Sequence, residues 1–375
     1  MKYTFLLFAF LITFSSIAQS DSLVMDFEVY NPESTLVVPG KEITSAKFPF
    51  IDIHNHQYAM PDMDLSKLIV EMDKINMAVL VNLSGRGFIR VGNSYDLNTQ
   101  EYLKKAIDNG DQNFPGRFVV FTNVSFANFG QQGWTEEAVR QLEEDVKNGA
   151  KGLKIYKSLG LRYTDQEGNR VKINDPRIDP VWAKCGELGI PVLIHAADPK
   201  PFWDEHDENN ERWLELKVRP RRKRSDTDPA SWETIIAEQH NVFKKHPNTI
   251  FINAHLGWYG NNLAKLGELM DDMPNMYTEI GAVIAELGRQ PRNAKKFLTQ
   301  YQDRVLFGKD SWNPEEYYTY FRVLESDDEY FPYYKKYHAF WKMYGLDLDD
   351  EVLKKIYYKN ALSIVPGLDA SQFPE

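Results

Sequence analysis

The stretch that decides the fold is FPFIDIHNH at residues 48–56. The apolar residues from Phe48 to Ile53 predict a short buried β-strand, and His54 and His56 follow directly. Side chains alternate along a strand, so histidines two residues apart point to the same face. Two imidazoles on one face form a chelate for a divalent ion. A His-X-His motif alone is a weak signal, and its meaning depends on what the rest of the chain places beside it.

Short apolar segments alternate with amphipathic segments along the rest of the chain. Further strands are predicted at residues 78–82, 118–121, 152–156, 191–195, 249–253, 276–279 and 304–308. Helices are predicted at residues 65–75, 101–107, 136–146, 180–188, 232–243, 263–270 and 284–298. This alternation indicates parallel βαβ units, and eight such units close a barrel with the helices outside it. We therefore predict an α/β protein, a single (β/α)8 TIM-like barrel.

An open doubly wound sheet is the alternative fold. It is disfavoured because no glycine-rich turn follows the first strand to receive a dinucleotide. The barrel carries two long loop insertions, residues 199–231 after strand 5 and residues 312–350 after strand 8. Loops after strands lie on the catalytic face of such barrels, so both insertions are candidates for substrate contact. The basic run at residues 219–224 fits a solvated loop or an anion-collecting lip, and the sequence does not decide between them.

Composition and charge exclude several classes of protein. The 375-residue chain carries 54 acidic and 44 basic side chains, a net charge of −10, which argues against a general nucleic-acid binder. Its single cysteine, Cys185, excludes an intrachain disulfide framework and a cysteine-rich metal site. Any bound metal must therefore be held by His, Asp, Glu or Lys side chains.

The first 20 residues are typical of a secretory signal. Lys2 precedes an apolar run at residues 5–12, and small and polar residues follow as far as Ser20. The run is too short to span a bilayer comfortably. We expect a signal peptide at residues 1–20, a barrel domain at residues 21–375, and an exported protein, periplasmic or secreted, with no stable membrane anchor after cleavage. An uncleaved anchor is the alternative.

Further residues of metal-ligand type stand at predicted strand ends. His195 ends the fifth strand, while His255 and Asp310 follow the sixth and the eighth. Lys154 lies near the end of the fourth strand and Glu279 ends the seventh. Because the carboxyl ends of barrel strands meet at one face, we expect these side chains to lie close to His54 and His56.

The motifs at these strand ends resemble those of the amidohydrolase superfamily, and specifically its amidohydrolase-related branch of hydrolases, lactonases and nonoxidative decarboxylases. The resemblance runs from about Phe50 to Pro366, and its carriers are residues 51–56, 152–155, 194–195, 254–257, 308–310 and 358–361. It implies a metal held by His54, His56, His195 and Asp310. Three imidazoles and a carboxylate suit Zn²⁺ best, and they also accept Mn²⁺ or Fe²⁺.

The resemblance also implies catalytic roles. Asp310 would take the proton of an attacking water as general base. His255 would either ligate a second metal or hold the water or the substrate oxygen by hydrogen bonding. Lys154 resembles the lysine that is carboxylated in binuclear members and bridges two metals. Unmodified, it would instead anchor a substrate carboxylate or pair with a barrel acid such as Glu279. We predict one ion and an unmodified Lys154, with two ions as the alternative if the lysine is carboxylated.

Three more residues are candidates for binding substrate. Arg86 and Arg90 follow the second strand and could hold a substrate carboxylate. Trp312 stands two residues beyond Asp310. For the tryptophan, which belongs to an aromatic cluster, packing is the structural alternative.

The function expected from this reasoning is a metal-dependent hydrolase. It would cleave an amide, ester or lactone bond of a small molecule, anionic in one version of the hypothesis, through a metal-activated water. The alternative is a metal-dependent nonoxidative decarboxylase of an aromatic or unsaturated acid, in which a protonated Asp310 donates to carbon. A third class, a barrel used only for binding, is disfavoured by the full ligand set. The partner is a small-molecule substrate, and the sequence leaves a homo-oligomer open.

Overall fold

The computed structural model describes residues 25–40, 42–91, 94–335, 337 and 341–374. The predicted signal peptide lies outside the described residues, so both it and the boundary at residue 21 stay predictions. The chain divides into a unit that ends at Val37 and a compact unit that begins at Val38. The described part of the first unit, residues 25–37, contains a turn and no helix or strand. Every element named below belongs to the second unit.

Thirteen strands are present among the described residues: β1 (Phe50–Asn55), β2 (Met77–Asn82), β3 (Phe88–Val91), β4 (Ser94–Leu97), β5 (Phe118–Val120), β6 (Thr122–Asn123), β7 (Leu153–Ile155), β8 (Val192–Ile194), β9 (Phe251–Asn253), β10 (Met276–Glu279), β11 (Val305–Leu306), β12 (Phe331–Pro332) and β13 (Lys342–Met343). Parallel pairing joins β1 to β2 and β2 to β5, and it runs without interruption from β6 to β11.

The α-helices of the described residues follow the strands in sequence. They are α1 (Leu65–Lys74), α2 (Gln100–Asn113), α3 (Trp134–Lys147), α4 (Ser158–Leu161), α5 (Asp179–Glu187), α6 (Trp213–Val218), α7 (Trp232–Lys245), α8 (Leu263–Asp272), α9 (Ile284–Gly288), α10 (Pro291–Gln300), α11 (Pro314–Glu325), α12 (Asp350–Lys354) and α13 (Asn360–Ile364). None of the helices in the described part of the chain is both long and apolar enough to cross a membrane.

Backbone hydrogen bonds close the sheet into a barrel. Only Phe121 separates β5 from β6, so one segment pairs with β2 at its start and with β7 at its end. On the other side, the Ile53 N–H donates to the Phe307 carbonyl at 3.0 Å, and the Asp310 N–H donates to the His54 carbonyl at 2.7 Å. These bonds join the eighth barrel strand, β11, to the first. The predicted (β/α)8 barrel is confirmed.

The barrel forms because its strands are mostly apolar and almost entirely buried, and because its helices are apolar on one side. All six residues of β1 are buried, as expected for parallel strands covered by helices. In α1, the buried residues Leu65, Leu68, Ile69 and Met72 recur at helical spacing, and the Asp64 side chain caps the helix by accepting the Ser66 N–H. The packing therefore follows the pattern from which the fold was predicted.

The structure corrects two local predictions. The single helix predicted at residues 284–298 is two helices, α9 and α10, because Pro291 has no backbone N–H and begins a new helix. The segment after β2 was predicted without strands, but it forms an antiparallel hairpin of β3 and β4 in which Phe88 pairs with Leu97. Gly92 and Asn93 between the two strands are turn-forming residues and could have indicated this hairpin from the sequence.

The two insertions lie where they were predicted. Residues 199–231 contain α6, and acidic partners neutralise part of the basic run: Arg222 pairs with Glu215, and Arg224 pairs with Asp198 at 3.0 Å. The region after β11 contains α11 and the short hairpin of β12 and β13.

Candidate metal centre

The residues predicted to bind metal meet at the carboxyl ends of the barrel strands. His54 lies in β1 and His56 directly follows it, while Lys154 lies in β7. His195 follows β8, His255 follows β9 and Asp310 follows β11. Five different strands therefore bring six side chains to one end of the barrel.

The contacts between these side chains are short. The His54 Nε2 lies 3.3 Å from the Asp310 Oδ1, and the His56 Nε2 lies 3.6 Å from the same oxygen. Ligand atoms of His54, His255 and Asp310 all lie within 4.8 Å of one another, so these three residues could hold a divalent metal. The Lys154 Nζ lies 3.4 Å from the His54 Nε2.

His195 joins the group through His255. Its Nδ1 lies 3.3 Å from the His255 Nε2. The sequence assigned His195 to the metal, and it left His255 either as a ligand of a second metal or as a hydrogen-bonding group for the water or the substrate oxygen. In the structure, His255 is the histidine that shares a compact three-residue group with His54 and Asp310, while His195 lies against His255.

Contacts outside the centre orient the imidazoles. The His255 Nδ1 lies 2.8 Å from the Gly281 carbonyl oxygen. Since a carbonyl only accepts, that Nδ1 carries the proton, and Nε2 is left with its lone pair towards the centre. The His54 Nδ1 lies 3.0 Å from the Glu279 Oε1 in the same way, and the His56 Nδ1 lies 2.7 Å from the Ser84 Oγ. Such outer hydrogen bonds are typical of histidines that ligate metals.

The residues present fit a divalent metal. Four imidazole groups and a carboxylate converge, and they are the kinds of ligand that zinc, manganese and iron accept. The His195 Nε2 is buried and has no hydrogen-bond partner among the described residues. Buried polar atoms are nearly always paired. An unpaired imidazole nitrogen beside four other ligand-type side chains is therefore expected where a metal ion binds.

Glu279 holds two of the histidines at once. It is fully buried at the end of β10, where its Oε1 accepts from the His54 Nδ1 and, at 2.6 Å, from the backbone N–H of His255. Its Oε2 accepts from the Gly281 N–H. Burial favours the neutral acid, but the charge and hydrogen bonds of these neighbours outweigh it and lower the pKa of Glu279 to about 2. Glu279 is therefore a buried carboxylate at neutral pH.

The backbone at His255 needs this support. His255 has a φ of 59°, in the left-handed region, and Leu256, Gly257 and Trp258 follow with positive φ values. Residues with a Cβ rarely adopt this conformation without compensating contacts. The hydrogen bond from the His255 N–H to Glu279 is such a contact, so one carboxylate both orients His54 and stabilises the turn that carries His255.

Burial also decides the charge of the centre. It lowers the pKa of His56 and of His255 to about 4, so both are neutral and able to ligate at neutral pH. It lowers the pKa of Lys154 to about 8, a shift that Asp310 and Glu279 partly offset. Burial alone would raise the pKa of Asp310, but hydrogen bonds from His54 and His56 hold that pKa well below its ordinary value.

Three aromatic rings, Tyr58, Phe88 and Tyr156, form a wall beside His56. The Tyr58 ring stacks on His56 at 5.6 Å between centroids, and the Tyr156 ring stacks on it at 5.9 Å. Phe88 of β3 contacts both tyrosines, at 5.7 Å and 5.2 Å. Tyr58 and Phe88 are exposed. This aromatic wall therefore presents apolar surface to solvent beside the candidate metal ligands.

The predicted substrate contacts Arg86, Arg90 and Trp312 do not touch these ligands through any described contact. Arg86 is buried, and its Nε–H donates to the Asn98 carbonyl at 2.7 Å. Arg90 is an exposed residue of β3. The Trp312 indole N–H donates to Glu71 of α1 at 3.0 Å. The proposal that they bind substrate gains no support from this placement.

A profile of the amidohydrolase family matches residues 115–366. The chain belongs to the amidohydrolase family. The matched segment contains Lys154, His195, His255 and Asp310, while His54 and His56 precede it. The family match confirms the resemblance inferred from the motifs, and it identifies the chain as an enzyme of this type.

Solved structures show the same fold at low sequence identity. A putative amidohydrolase from Staphylococcus aureus aligns with a TM-score of 0.51 and 16% identity, over 84% of this chain and 99% of the other. A 4-oxalomesaconate hydratase from Rhodopseudomonas palustris aligns at 0.50 and 15%, over 86% and 97%. A dihydroxybenzoic acid decarboxylase from Polaromonas sp. JS666, with bound manganese and the inhibitor 2-nitroresorcinol, aligns at 0.51 and 12%, over 84% and 96%. No curated protein matches the sequence.

Sequence reasoning missed two residues that support the centre of this amidohydrolase. Ser84 accepts or donates at His56 and also contacts the Tyr156 hydroxyl at 2.8 Å. Asp52 accepts the backbone N–H of His54 at 3.0 Å and that of Lys309 at 3.1 Å, so it ties β1 to the segment that carries Asp310. Asp52 lies two residues before His54 in β1, and period-two alternation could have placed it on the same face.

Glu279→Gln tests whether this carboxylate positions the metal ligands. We expect the metal affinity of the amidohydrolase to fall by roughly 10- to 100-fold, the effect of losing an outer hydrogen-bond partner of a ligating histidine. Isothermal titration of metal into the stripped protein measures the change.

Two variants serve as controls for this measurement. Glu268→Gln makes the same chemical change on the exposed surface of α8 and should leave affinity unchanged. His54→Ala removes a ligand and should abolish most binding. If Glu279→Gln binds metal with wild-type affinity while His54→Ala does not bind it, Glu279 does not position the ligands.

Proposed function

We propose that this amidohydrolase is a metal-dependent hydrolase that cleaves an amide, ester or lactone bond of a small anionic molecule. The observation that carries the proposal is the convergence of His54, His255 and Asp310 within 4.8 Å at the catalytic end of the barrel. His56 and His195 adjoin this group. His54 and Asp310 belong both to the ligand set predicted from the sequence and to the compact three-residue group of the structure. We therefore assign these two residues to the metal first.

The metal, when bound, lowers the pKa of water and polarises a carbonyl group. We propose Zn²⁺, because the imidazole-rich donor set favours it. Mn²⁺ is the alternative, since a structurally similar decarboxylase contains it. We propose that the enzyme binds one metal ion.

Asp310 is suited to accept a proton. Its side chain is 38% exposed, whereas that of His54 is fully buried, so the carboxylate borders the space open to a substrate. Because its pKa is held well below the ordinary value, it is ionised at neutral pH and can act as general base towards an attacking water. The same property disfavours a mechanism in which a protonated Asp310 donates to carbon.

Lys154 is suited to hold an anionic substrate. Its side chain is buried, its Nζ lies beside the His54 Nε2, and the pKa of about 8 leaves most of the amine protonated at neutral pH. A cation next to a metal is favourable only when an anion lies between them. A substrate carboxylate on Lys154 supplies that anion.

The alternative is a nonoxidative decarboxylase of an aromatic or unsaturated acid. The aromatic wall of Tyr58, Phe88 and Tyr156 favours it, because offset stacking beside His56 suits a planar substrate. The similar fold of a dihydroxybenzoic acid decarboxylase is compatible with this chemistry. In the decarboxylase reaction, Lys154 would bind the substrate carboxylate that is released as carbon dioxide.

Localisation forms a separate part of the proposal. We propose that the enzyme is exported, periplasmic or secreted, after removal of residues 1–20. The support is the sequence of that segment, a basic residue, a short apolar run and small residues at its end. N-terminal sequencing of the protein recovered outside the cytoplasm tests it.

Products distinguish the two reactions. The metal-loaded enzyme is incubated in ¹⁸O-labelled water with a panel of lactones, amides, esters and aromatic acids. Hydrolysis incorporates one ¹⁸O into the product and releases no carbon dioxide, and that is the result we expect. Release of carbon dioxide without ¹⁸O incorporation would contradict hydrolysis and establish the alternative.

Lys154→Ala tests the role of the buried lysine. If the amine is unmodified and binds substrate, the variant keeps its metal, its KM for an anionic substrate rises, and short-chain carboxylic acids do not restore activity. Metal content and steady-state kinetics measure the outcome, with Lys147→Ala at the exposed end of α3 as control. Loss of a metal ion from Lys154→Ala, restored by short-chain carboxylic acids, would show a carboxylated lysine and two metals.

A further inference from the structure

A second cavity lies beside the hairpin of β3 and β4. It has a volume of about 360 Å³ and lies between the end of β4, the segment after β6 and the first half of α3. None of the six side chains of the metal centre lines it. The cavity is therefore a separate feature of the catalytic end of the barrel, and the proposed hydrolysis makes no use of it.

Arg86 supplies a buried cation at this cavity. The residue is 6% exposed, and the side-chain hydrogen bonds that it makes to the described residues involve Nε and Nη1. The Nη1 contacts are long, 3.5 Å to the Gln141 Oε1 and 3.6 Å to the Asp145 Oδ2. Asp145 is shared, because it also accepts from Gln100 at 2.8 Å and from Thr122. Arg86 is thus a buried charge with weak compensation, an arrangement that is costly without a further partner.

The other charged groups at the cavity already have strong partners. The Asp96 Oδ1 accepts from the Ser125 hydroxyl and from the Leu97 N–H, both at 2.7 Å. Both oxygens of Glu137 accept from Arg140, at 2.6 Å and 2.8 Å. The Asp96 Oδ1 and both oxygens of Glu137 are therefore satisfied within the protein, whereas the nearest carboxylate contact of Arg86 among the described residues is that to Asp145 at 3.6 Å.

Neutral hydrogen-bonding groups make up much of the remaining wall. They come from the amide side chains of Asn123, Asn128, Gln131, Gln132 and Gln141, with Trp134 as an aromatic surface. Amides both donate and accept, which suits hydroxyl groups. One cation on the wall suits one carboxylate. Asp96 and Glu137 repel any anion, but they repel a dianion such as phosphate about twice as strongly as a monoanion.

We propose that this cavity is a second binding site, for a small polyhydroxylated carboxylate of the sugar-acid type. The ligand's carboxylate pairs with the guanidinium of Arg86, and its hydroxyl groups bind the amides around it. Arg86 was predicted from the sequence to hold a substrate carboxylate. The structure moves that role from the metal centre to a cavity of its own.

Isothermal titration calorimetry with the full-length protein tests the proposal, with D-gluconate as the probe. We expect gluconate to bind the wild type, and D-glucose, which has hydroxyl groups but no carboxylate, to bind at least about tenfold more weakly. Arg86→Gln should weaken gluconate binding by roughly 10- to 100-fold, since it removes a charge-assisted hydrogen bond. Lys147→Gln removes the same charge from the exposed end of α3 and should leave binding unchanged.

Two more variants separate binding at the cavity from misfolding and from binding at the metal centre. Asn128→Ala changes an exposed loop residue that lines the cavity, and it should weaken binding by roughly 2- to 10-fold with no loss of stability, whether or not Arg86→Gln folds. His54→Ala should leave gluconate binding unchanged. Absence of binding to the wild type, equal binding of glucose, full binding in both cavity variants, or loss of binding in His54→Ala would each overturn the proposal.

Discussion

The buried carboxylate of Glu279 is the constraint on which the site depends. It lies at the end of β10 and accepts hydrogen bonds from the ring of His54, from the backbone of His255 and from Gly281. Burying a carboxylate is unfavourable unless several donors surround it. Those donors lie in β1 and just after β9 and β10, so the same interaction that stabilises the charge also aligns three strand ends. The glycine that follows β11 leaves room for it, since a Cβ at Gly308 would lie 2.5 Å from the Glu279 Oε2.

The fold could be predicted from the sequence because its signals are local. Most barrel strands lie in short apolar runs and most helices have one apolar side, as in β2 and α1. The ligand-type residues at the strand ends could be grouped for the same reason, since a barrel brings all carboxyl ends to one face. His54, His56 and Asp310 are therefore predictable as neighbours without any knowledge of side-chain contacts.

Contacts between distant loops could not be predicted in this way. The pairing of His56 with Ser84, and the choice of His255 over His195 for the compact group, depend on the paths of separate connections. The hairpin of β3 and β4 places Phe88 beside the metal centre and Asp96 beside the second cavity. Arg86 consequently lies next to the cavity instead of the metal ligands, although the sequence shows only that it follows β2.

The central claim is that a divalent ion binds where β1 and β11 meet. Anomalous X-ray diffraction from crystals of the metal-loaded enzyme tests it most directly, because the signal locates the ion independently of activity. We expect a peak about 2.0–2.2 Å from the His54 Nε2 and from a carboxylate oxygen of Asp310. A fully loaded crystal with its anomalous peak away from both atoms would contradict it.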